Sequence, residues 1–331
     1  MHKSRVPIIL LISSIIITLA FSIVYTLKAI DDAKSTKPVV YMVMKDIDQN
    51  VAFWNTVKEG AEIAGMELEV EVISTGPNKE TDIDVQQKIL EDILEAKPAA
   101  VVLAAVDYEK IQPYAENIMD GGITLVTVDS DVKTDYPHIF VATNNIEAAK
   151  AAGEQMGLSL QGSGKVAIIT HFFASTTAYE RQKGFIEGLE KYPNIHILDE
   201  TWDCNSDVEL AYKKTLEILE KYPDVTGIFG SNEVSILGVA RAIKDSGLTG
   251  KIKLIGFDSN EEVVKLIEEG VIEATMVQRP FNMGYMGVKK AIEEYYNKKN
   301  VSEFIDTGYV VITKDNIYEP ENQKLIFPFK K

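Results

Sequence analysis

Ala99-Ala100-Val101-Val102-Leu103-Ala104-Ala105 is seven residues long and carries no polar side chain. A strand with one face in water alternates apolar and polar residues. A run without alternation needs cover on both faces, the condition of a strand inside a parallel sheet. Its flanks agree. Upstream, Asp82 to Ala96 places apolar residues at helical spacing and is ended by Pro98, before which a helix is disfavoured. Downstream, a second run of the same kind, Ile123 to Val128, follows a further helical stretch. Strand, helix and parallel strand make the unit from which α/β folds are built.

The unit recurs along the chain. Similar runs occupy Val39 to Met44, Leu68 to Ile73, His138 to Ala142, Lys165 to Thr170, Ile195 to Trp202, Val225 to Ser231, Ile252 to Phe257, Ile272 to Val277 and Tyr309 to Ile312. Between them lie amphipathic stretches. Asn50 is placed to cap a helix with Phe53, Val57, Ala61 and Ala64 on one face and Gly65 as its stop, and Ser206 to Lys221 is closed by Pro223. Ten or eleven strands exceed a comfortable single sheet, and the rhythm breaks around His138 to Asn145 before a second series starts at Gly164. The expected fold is α/β, with two doubly wound Rossmann-like lobes and a cleft between them.

Composition narrows the partners. The 331 residues hold 34 Lys and Arg against 50 Asp and Glu, a net charge of −16, which argues against nucleic acid or an anionic membrane face. One cysteine, Cys204, excludes an internal disulfide, and its position excludes a lipidated N-terminus. Ahead of the first strand, Val6 to Tyr25 is uncharged for 20 residues between His2, Lys3 and Arg5 on one side and Lys28 on the other. A stretch of that length spans roughly 30 Å, the hydrocarbon thickness of a bilayer. The small-x-small triplet Ala20-Phe21-Ser22 is followed by more apolar chain, so an uncleaved single-pass anchor is favoured over a cleaved signal. The basic start places residues 1–5 inside and the folded part outside the cell membrane. That outer part, residues 38–331, carries 29 Lys and Arg against 48 Asp and Glu, a net of −19.

In open parallel sheets ligands bind beyond the carboxyl ends of the strands. The residues there are Lys45 and Asp46, Ser74 and Thr75, Asp107, Asp129, Thr143 with Asn144 and Asn145, His171, Asp203, Asn232 with Glu233, Asp258, and Gln278 with Arg279. These paired donors and acceptors suit neighbouring hydroxyls on a polyol, although Asp and Asn at such positions also cap the helices that follow. Phe53 and Trp54 stand at the start of the first helix, where an aromatic plane meets the C–H face of a sugar ring, and Trp202 ends a strand of the second lobe. No glycine-rich dinucleotide turn follows the first strand, Gly162-Ser163-Gly164-Lys165 lacks the hydroxyl that holds Mg²⁺ in a phosphate loop, and four scattered histidines offer no zinc spacing. Neither a metal, a cofactor nor an enzymatic activity is expected.

At these positions the chain resembles the type I periplasmic binding proteins of the ribose and xylose group, over essentially Pro38 to Pro328. The strings that carry the resemblance are Val128-Asp129, Ala142-Thr143-Asn144-Asn145, Glu180-Arg181 with Gly184-Phe185, Tyr222-Pro223-Asp224-Val225, Gly230-Ser231-Asn232-Glu233, Gly256-Phe257-Asp258 and Gln278-Arg279-Pro280. The resemblance implies ligand contacts from Phe53, Asp129, Thr143, Arg181, Asn232, Asp258 and Gln278, with Trp54 stacking and Arg181 as a forked donor. Lys45, Asp46, Asp107, Asp203 and Trp202 complete the candidate set. It also implies a three-strand hinge near Thr143 and Asn144, Gln278 to Pro280, and Asp306 to Gly308. The lobes are then 38–143 with 280–307, and 144–279 with 308–331, after an anchor and linker at 1–37. Where the ribose proteins carry Arg after the aspartate this chain departs with Ser130, whereas Trp54 and the polar Lys45-Asp46 start look more like the xylose proteins, and a pentose such as xylose or ribose is preferred. Without a lipidation cysteine, the chain is similar to the membrane-tethered xylose-binding partners of LytS-type sensor histidine kinases. The binding subunit of a sugar ABC importer, facing a permease, is the alternative.

Overall fold

A computed structural model describes residues 18, 19, 21–24, 26 and 37–327. Most of the expected anchor, Val6 to Tyr25, lies outside them. Among the described residues no helix is long and apolar enough to cross a membrane.

Twelve strands divide between two six-stranded sheets. The first contains β1 (Val39–Val43), β2 (Glu71–Thr75), β3 (Ala100–Leu103), β4 (Thr124–Val128), β5 (Ile139–Ala142) and β11 (Glu303–Asp306), in the order β11-β5-β4-β3-β1-β2, all parallel. The second contains β6 (Ser163–Thr170), β7 (Asn194–Asp203), β8 (Gly227–Gly230), β9 (Lys253–Phe257), β10 (Ala274–Gln278) and β12 (Tyr309–Thr313), in the order β12-β10-β9-β8-β6-β7. Only β12 runs antiparallel, against β10. Each sheet reverses direction next to its first strand, between β1 and β3 and between β6 and β8, and a crevice forms at such a reversal. The two-lobed α/β fold expected from the strand-helix rhythm is the one observed.

Helices cover both faces of each sheet, which is why the central strands are apolar throughout. In the first lobe α1 (Ala52–Glu67) and α9 (Pro280–Asn297) pack on one face, and α2 (Ile83–Ala96) and α3 (Gln112–Asp120) on the other. In the second, α4 (Asn145–Ser159) and α5 (Thr176–Leu189) take one face, and α6 (Val208–Lys221), α7 (Glu233–Asp245) and α8 (Glu261–Glu268) the other, with α10 (Pro320–Ile326) closing the chain. Helix α9 starts directly after β10 of the second sheet yet packs in the first lobe. Its contact with α1 is close: a Cβ on Gly284 would overlap the Val57 carbonyl, and one on Gly60 the Phe281 carbonyl. The chain thus crosses between lobes after β5, after β10 and between β11 and β12. Asp306 ties two of these crossings, its Oδ1 accepting the backbone N–H of Asn144 at 3.0 Å and of Gly308 at 2.8 Å.

Some boundaries differ from expectation for local reasons. Asn50 does not cap α1; its backbone and side-chain N–H groups both donate to Asp48 Oδ1, and Val51, which has no capping side chain, precedes the helix. Gly65 lies within α1, which runs on to Glu67, so β2 begins at Glu71 instead of Leu68. Helix α6 starts at Val208, after Asp207, whose Oδ1 accepts the Leu210 N–H at 2.8 Å. Strand β11 was not foreseen: Glu-Phe-Ile-Asp is short, and three of its four residues are exposed at the edge of the sheet.

Candidate functional site

The strand ends converge between the lobes. Lys45 follows β1, Asp129 follows β4, His171 follows β6, Asn232 and Glu233 follow β8, Asp258 follows β9, and Gln278 ends β10. Together with Phe53, Trp54, Glu80, Thr177 and Arg181 they line a cavity of about 40 Å³. Asp129 and Asp258 hold backbone φ of +59° and +68°, a left-handed conformation costing an L residue roughly 1–2 kcal/mol and tolerated best by Asn and Asp. A larger groove of about 650 Å³ opens beside the cavity along α1, the start of α9 and α10, and shares Phe53, Asp258 and Gln278 with it.

Two cations organise the floor. Lys45 Nζ lies 2.7 Å from Glu80 Oε1 and 3.0 Å from Asp129 Oδ2, donates to Ser130 Oγ at 2.9 Å, and stands 5.8 Å from the centre of the Trp54 ring. Burial works against its charge, but Asp129 and Glu80 outweigh burial and hold its pKa above the usual lysine value. Arg181 is spent largely on the protein: Nε donates to Asn145 Oδ1 at 2.9 Å, Nη1 donates to Ser231 O at 2.8 Å, and the guanidinium lies 4.3 Å over the Phe257 ring. Its Nη1 is 3.9 Å from Asp258 Oδ2. Burial raises the Asp258 pKa, with Arg181 and Gln278 opposing it. Asp258 Oδ1 accepts from Gln278 Nε2 at 2.7 Å, and Oδ2 from the Glu233 backbone N–H at 3.2 Å. His171 is held neutral, chiefly by burial and then by Lys45 and Arg181, and both its ring nitrogens meet hydroxyls, Ser231 Oγ at 2.7 Å and Thr177 Oγ1 at 3.0 Å.

The lobes also touch directly. Ser206 Oγ donates to Glu80 Oε2 at 2.5 Å, Tyr108 N–H to Ala174 O at 2.9 Å, and Asp131 N–H to Thr176 Oγ1 at 3.2 Å. Within the cavity wall, Gln278 Oε1 and Glu233 Oε2 are buried acceptor atoms that make no close hydrogen bond to the protein. Buried polar atoms are nearly always paired, so these two are suited to donors from a ligand.

Eight expected residues come together here: Lys45, Phe53, Trp54, Asp129, Arg181, Asn232, Asp258 and Gln278. Asn232 does both jobs foreseen for such a residue, lining the cavity while its Oδ1 caps α7 through the Ser235 N–H. Five others stand elsewhere. Thr143 belongs to the hinge, its hydroxyl 3.4 Å from Gly308 O and 3.5 Å from Thr307 Oγ1. Asp107 accepts the N–H groups of Glu109 and Lys110, Asp203 those of Phe173 and Asn205, and Asp46 that of Asp48. These three shape turns, the capping role weighed against ligand binding. Trp202 is 5% exposed in the second lobe's core, edge-on to Tyr222, and offers no face to the cleft. Arg181 also differs from the forked ligand donor expected, because Nε and Nη1 are already engaged. Sequence reasoning missed Glu80, which lies in the loop after β2, five residues beyond the strand end.

This arrangement, two doubly wound lobes enclosing a polar cavity at their facing strand ends, defines a two-lobed ligand-binding protein. Residues 40–299 match the periplasmic binding protein domain family, and the chain belongs to that family. A D-ribose/D-allose-binding protein of Pseudomonas aeruginosa is 25% identical over 293 residues, covering 86% of this chain and 90% of that one. An ABC transporter solute-binding protein from Agrobacterium vitis, solved with bound D-fucose, is 30% identical with a TM-score of 0.82 over 87% of this chain and 99% of its own. A sugar transporter structure from Clostridium phytofermentans is 38% identical with a TM-score of 0.76, over 85% and 100%.

Proposed function

We propose that the chain binds a monosaccharide in the cavity between its lobes and serves as the substrate-binding component of a sugar ABC importer. The observation that carries the reading is the convergence, from both lobes, of Lys45, Asp129, Asn232, Asp258 and Gln278 around one buried space walled by Phe53 and Trp54. Carboxylates and amides take the hydroxyl rim of a sugar while the aromatic rings meet its apolar face. Most of the lining residues are buried, so a ligand enters as the lobes part and is enclosed as they return. The extra contacts of the closed state shift the equilibrium toward it. No bond is made or broken.

The importer is preferred to the sensor-kinase pairing because relatives at 25–30% identity bear transport or sugar-binding names. The kinase reading rests on an anchor outside the described residues. Tethering by residues 6–25, with the lobes outside the cell, is compatible with either partner. A thermal-shift panel of pentoses and hexoses on residues 38–331 tests the binding. A midpoint raised by at least one sugar supports it, and none raised by any refutes it. Reconstitution with a permease and ATPase, or with a histidine kinase, separates the partners.

A further inference from the structure

The cavity holds more acid than base, and one of its carboxylates, Glu233, forms no ion pair. The cavity's charged side chains are Lys45 and Arg181 against Glu80, Asp129, Glu233 and Asp258. Lys45 sits between Glu80 and Asp129, and Arg181 lies beside Asp258. The charged group that acts most on Glu233 is Asp258, of its own sign. The Glu233 side chain is nevertheless fixed. Glu233 is 4% exposed, and its Oε1 accepts from Asn260 Nδ2 at 2.8 Å. Asn260 is itself held as the cap of α8, its Oδ1 accepting the Val263 N–H at 2.8 Å. The backbone N–H of Glu233 is bound by Asp258. Its Oε2 makes no close hydrogen bond in the cavity wall, while the first-turn amides of Ala52 and Phe53 approach the carboxylate from across the cleft and favour its charged form. An oriented, buried carboxylate oxygen without a close hydrogen bond of its own has lone pairs to offer a ligand's donor.

Resting on the sugar-binding reading above, we propose that Glu233 is a specificity determinant of the cleft, accepting hydroxyl donors from a neutral sugar and barring sugars that carry an acidic group. A hydroxyl donating to a carboxylate makes a charge-assisted bond, about twice as strong as a neutral one. A second anion in the same cavity meets an acceptor with no cation to share, and like charges at close range in a desolvated site repel strongly.

Calorimetric titration of the full-length chain at pH 8, where Glu233 is charged, tests this with D-ribose, D-xylose, D-arabinose, D-allose, D-glucose and D-galactose, and with D-glucuronate and D-galacturonate. Each is titrated into wild type and Glu233→Gln, which keeps the Oε1 acceptor for Asn260 while removing the charge. The expected result is a loss of about tenfold or more in affinity for every neutral sugar that wild type binds. At that pH the unliganded variant melts at or above wild type, because a charge that burial disfavours has been removed. Where a hexose binds, its uronate binds wild type at least about a hundredfold more weakly, and the gap narrows in the variant. Unchanged neutral-sugar affinity in Glu233→Gln overturns the proposal, as does a uronate bound as tightly as its parent hexose. A variant that melts well below wild type makes Glu233 structural and overturns it too. If wild type binds none of the six sugars, the sugar reading itself fails, an outcome visible without the variant.

Discussion

Asp129 and Asp258 end the fourth strand of their respective sheets in the same left-handed backbone conformation, and their carboxylates are buried in one cavity from opposite lobes. Each backbone N–H still bonds the strand beyond, Asp129 to Val141 O at 3.1 Å and Asp258 to Met276 O at 2.9 Å. The turn therefore redirects the side chain without costing a ladder bond. The two lobes have solved the same local problem alike but compensate it differently, Asp129 with Lys45 and Asp258 with Arg181.

Asp258→Ala should abolish the sugar-induced rise in thermal midpoint, since it removes the acceptor that also orients Gln278 and faces Arg181. Arg181→Ala should abolish it as well and also lower the unliganded midpoint. It strands Asp258, and loss of one partner of a buried ion pair costs about 3–5 kcal/mol. Melting curves with and without sugar separate the effects, and an unchanged sugar shift in either variant counts against the site.

Acidity should act in opposite directions on stability and on binding. Burial, reinforced by Asp258 and opposed by Asn260 and the Phe53 and Ala52 amides, raises Glu233 to about 7. Burial raises Asp46 to about 6. The other charged groups around the cavity are Lys45, Glu80, Asp129 and Arg181, with His171 neutral. The unfolded chain loses the Glu233 proton near 4.5 and the folded chain only near 7, so the folded state binds more protons in between. Unliganded stability should fall as pH rises through that window, with Glu233 contributing on the order of 2–3 kcal/mol. A sugar donating to the charged form should bind more tightly over the same rise. Midpoints and dissociation constants between pH 5 and 8 decide the matter, and parallel trends would falsify the assignment.

Gly284→Ala should destabilise the first lobe by about 1–3 kcal/mol, the usual cost of overpacking, because its methyl would meet the Val57 carbonyl. Denaturant melts of the variant measure this. A neutral substitution would mean that α1 and α9 separate more easily than their spacing implies.

Replacing residues 1–25 with a cleavable secretion signal should release the protein from membranes, if Val6 to Tyr25 is the tether. Fractionation of cells expressing both forms reads the outcome, and continued membrane association of the shortened chain argues for another attachment.

The central strands and the site's strand-end residues were legible because both follow from chain geometry. Apolar runs such as Ala99 to Ala105 need two covered faces, and Lys45, Asp129, Asn232, Asp258 and Gln278 stand where parallel strands stop. Less legible was whatever depends on how loops fold. Asp107 and Asp203 satisfy the same positional rule as Asp129, yet their carboxylates turn back onto nearby backbone N–H groups. Glu80 reaches the cavity from a loop that no periodicity describes. Trp202 shows the limit from another side: residues alternate across a strand, and the end of β7 points this ring into the core.

The close approach of Gly284 to Val57 gives the molecule a rigid lever. Helix α1 brings Phe53 and Trp54 to the cavity at its first turn, and α9 begins at the hinge, two residues after Gln278. Locked together without space between their backbones, the two helices cannot respond separately when the lobes close. Tyr296, exposed near the far end of α9, belongs to the same rigid unit, so a reporter group there would follow the first lobe without touching the site.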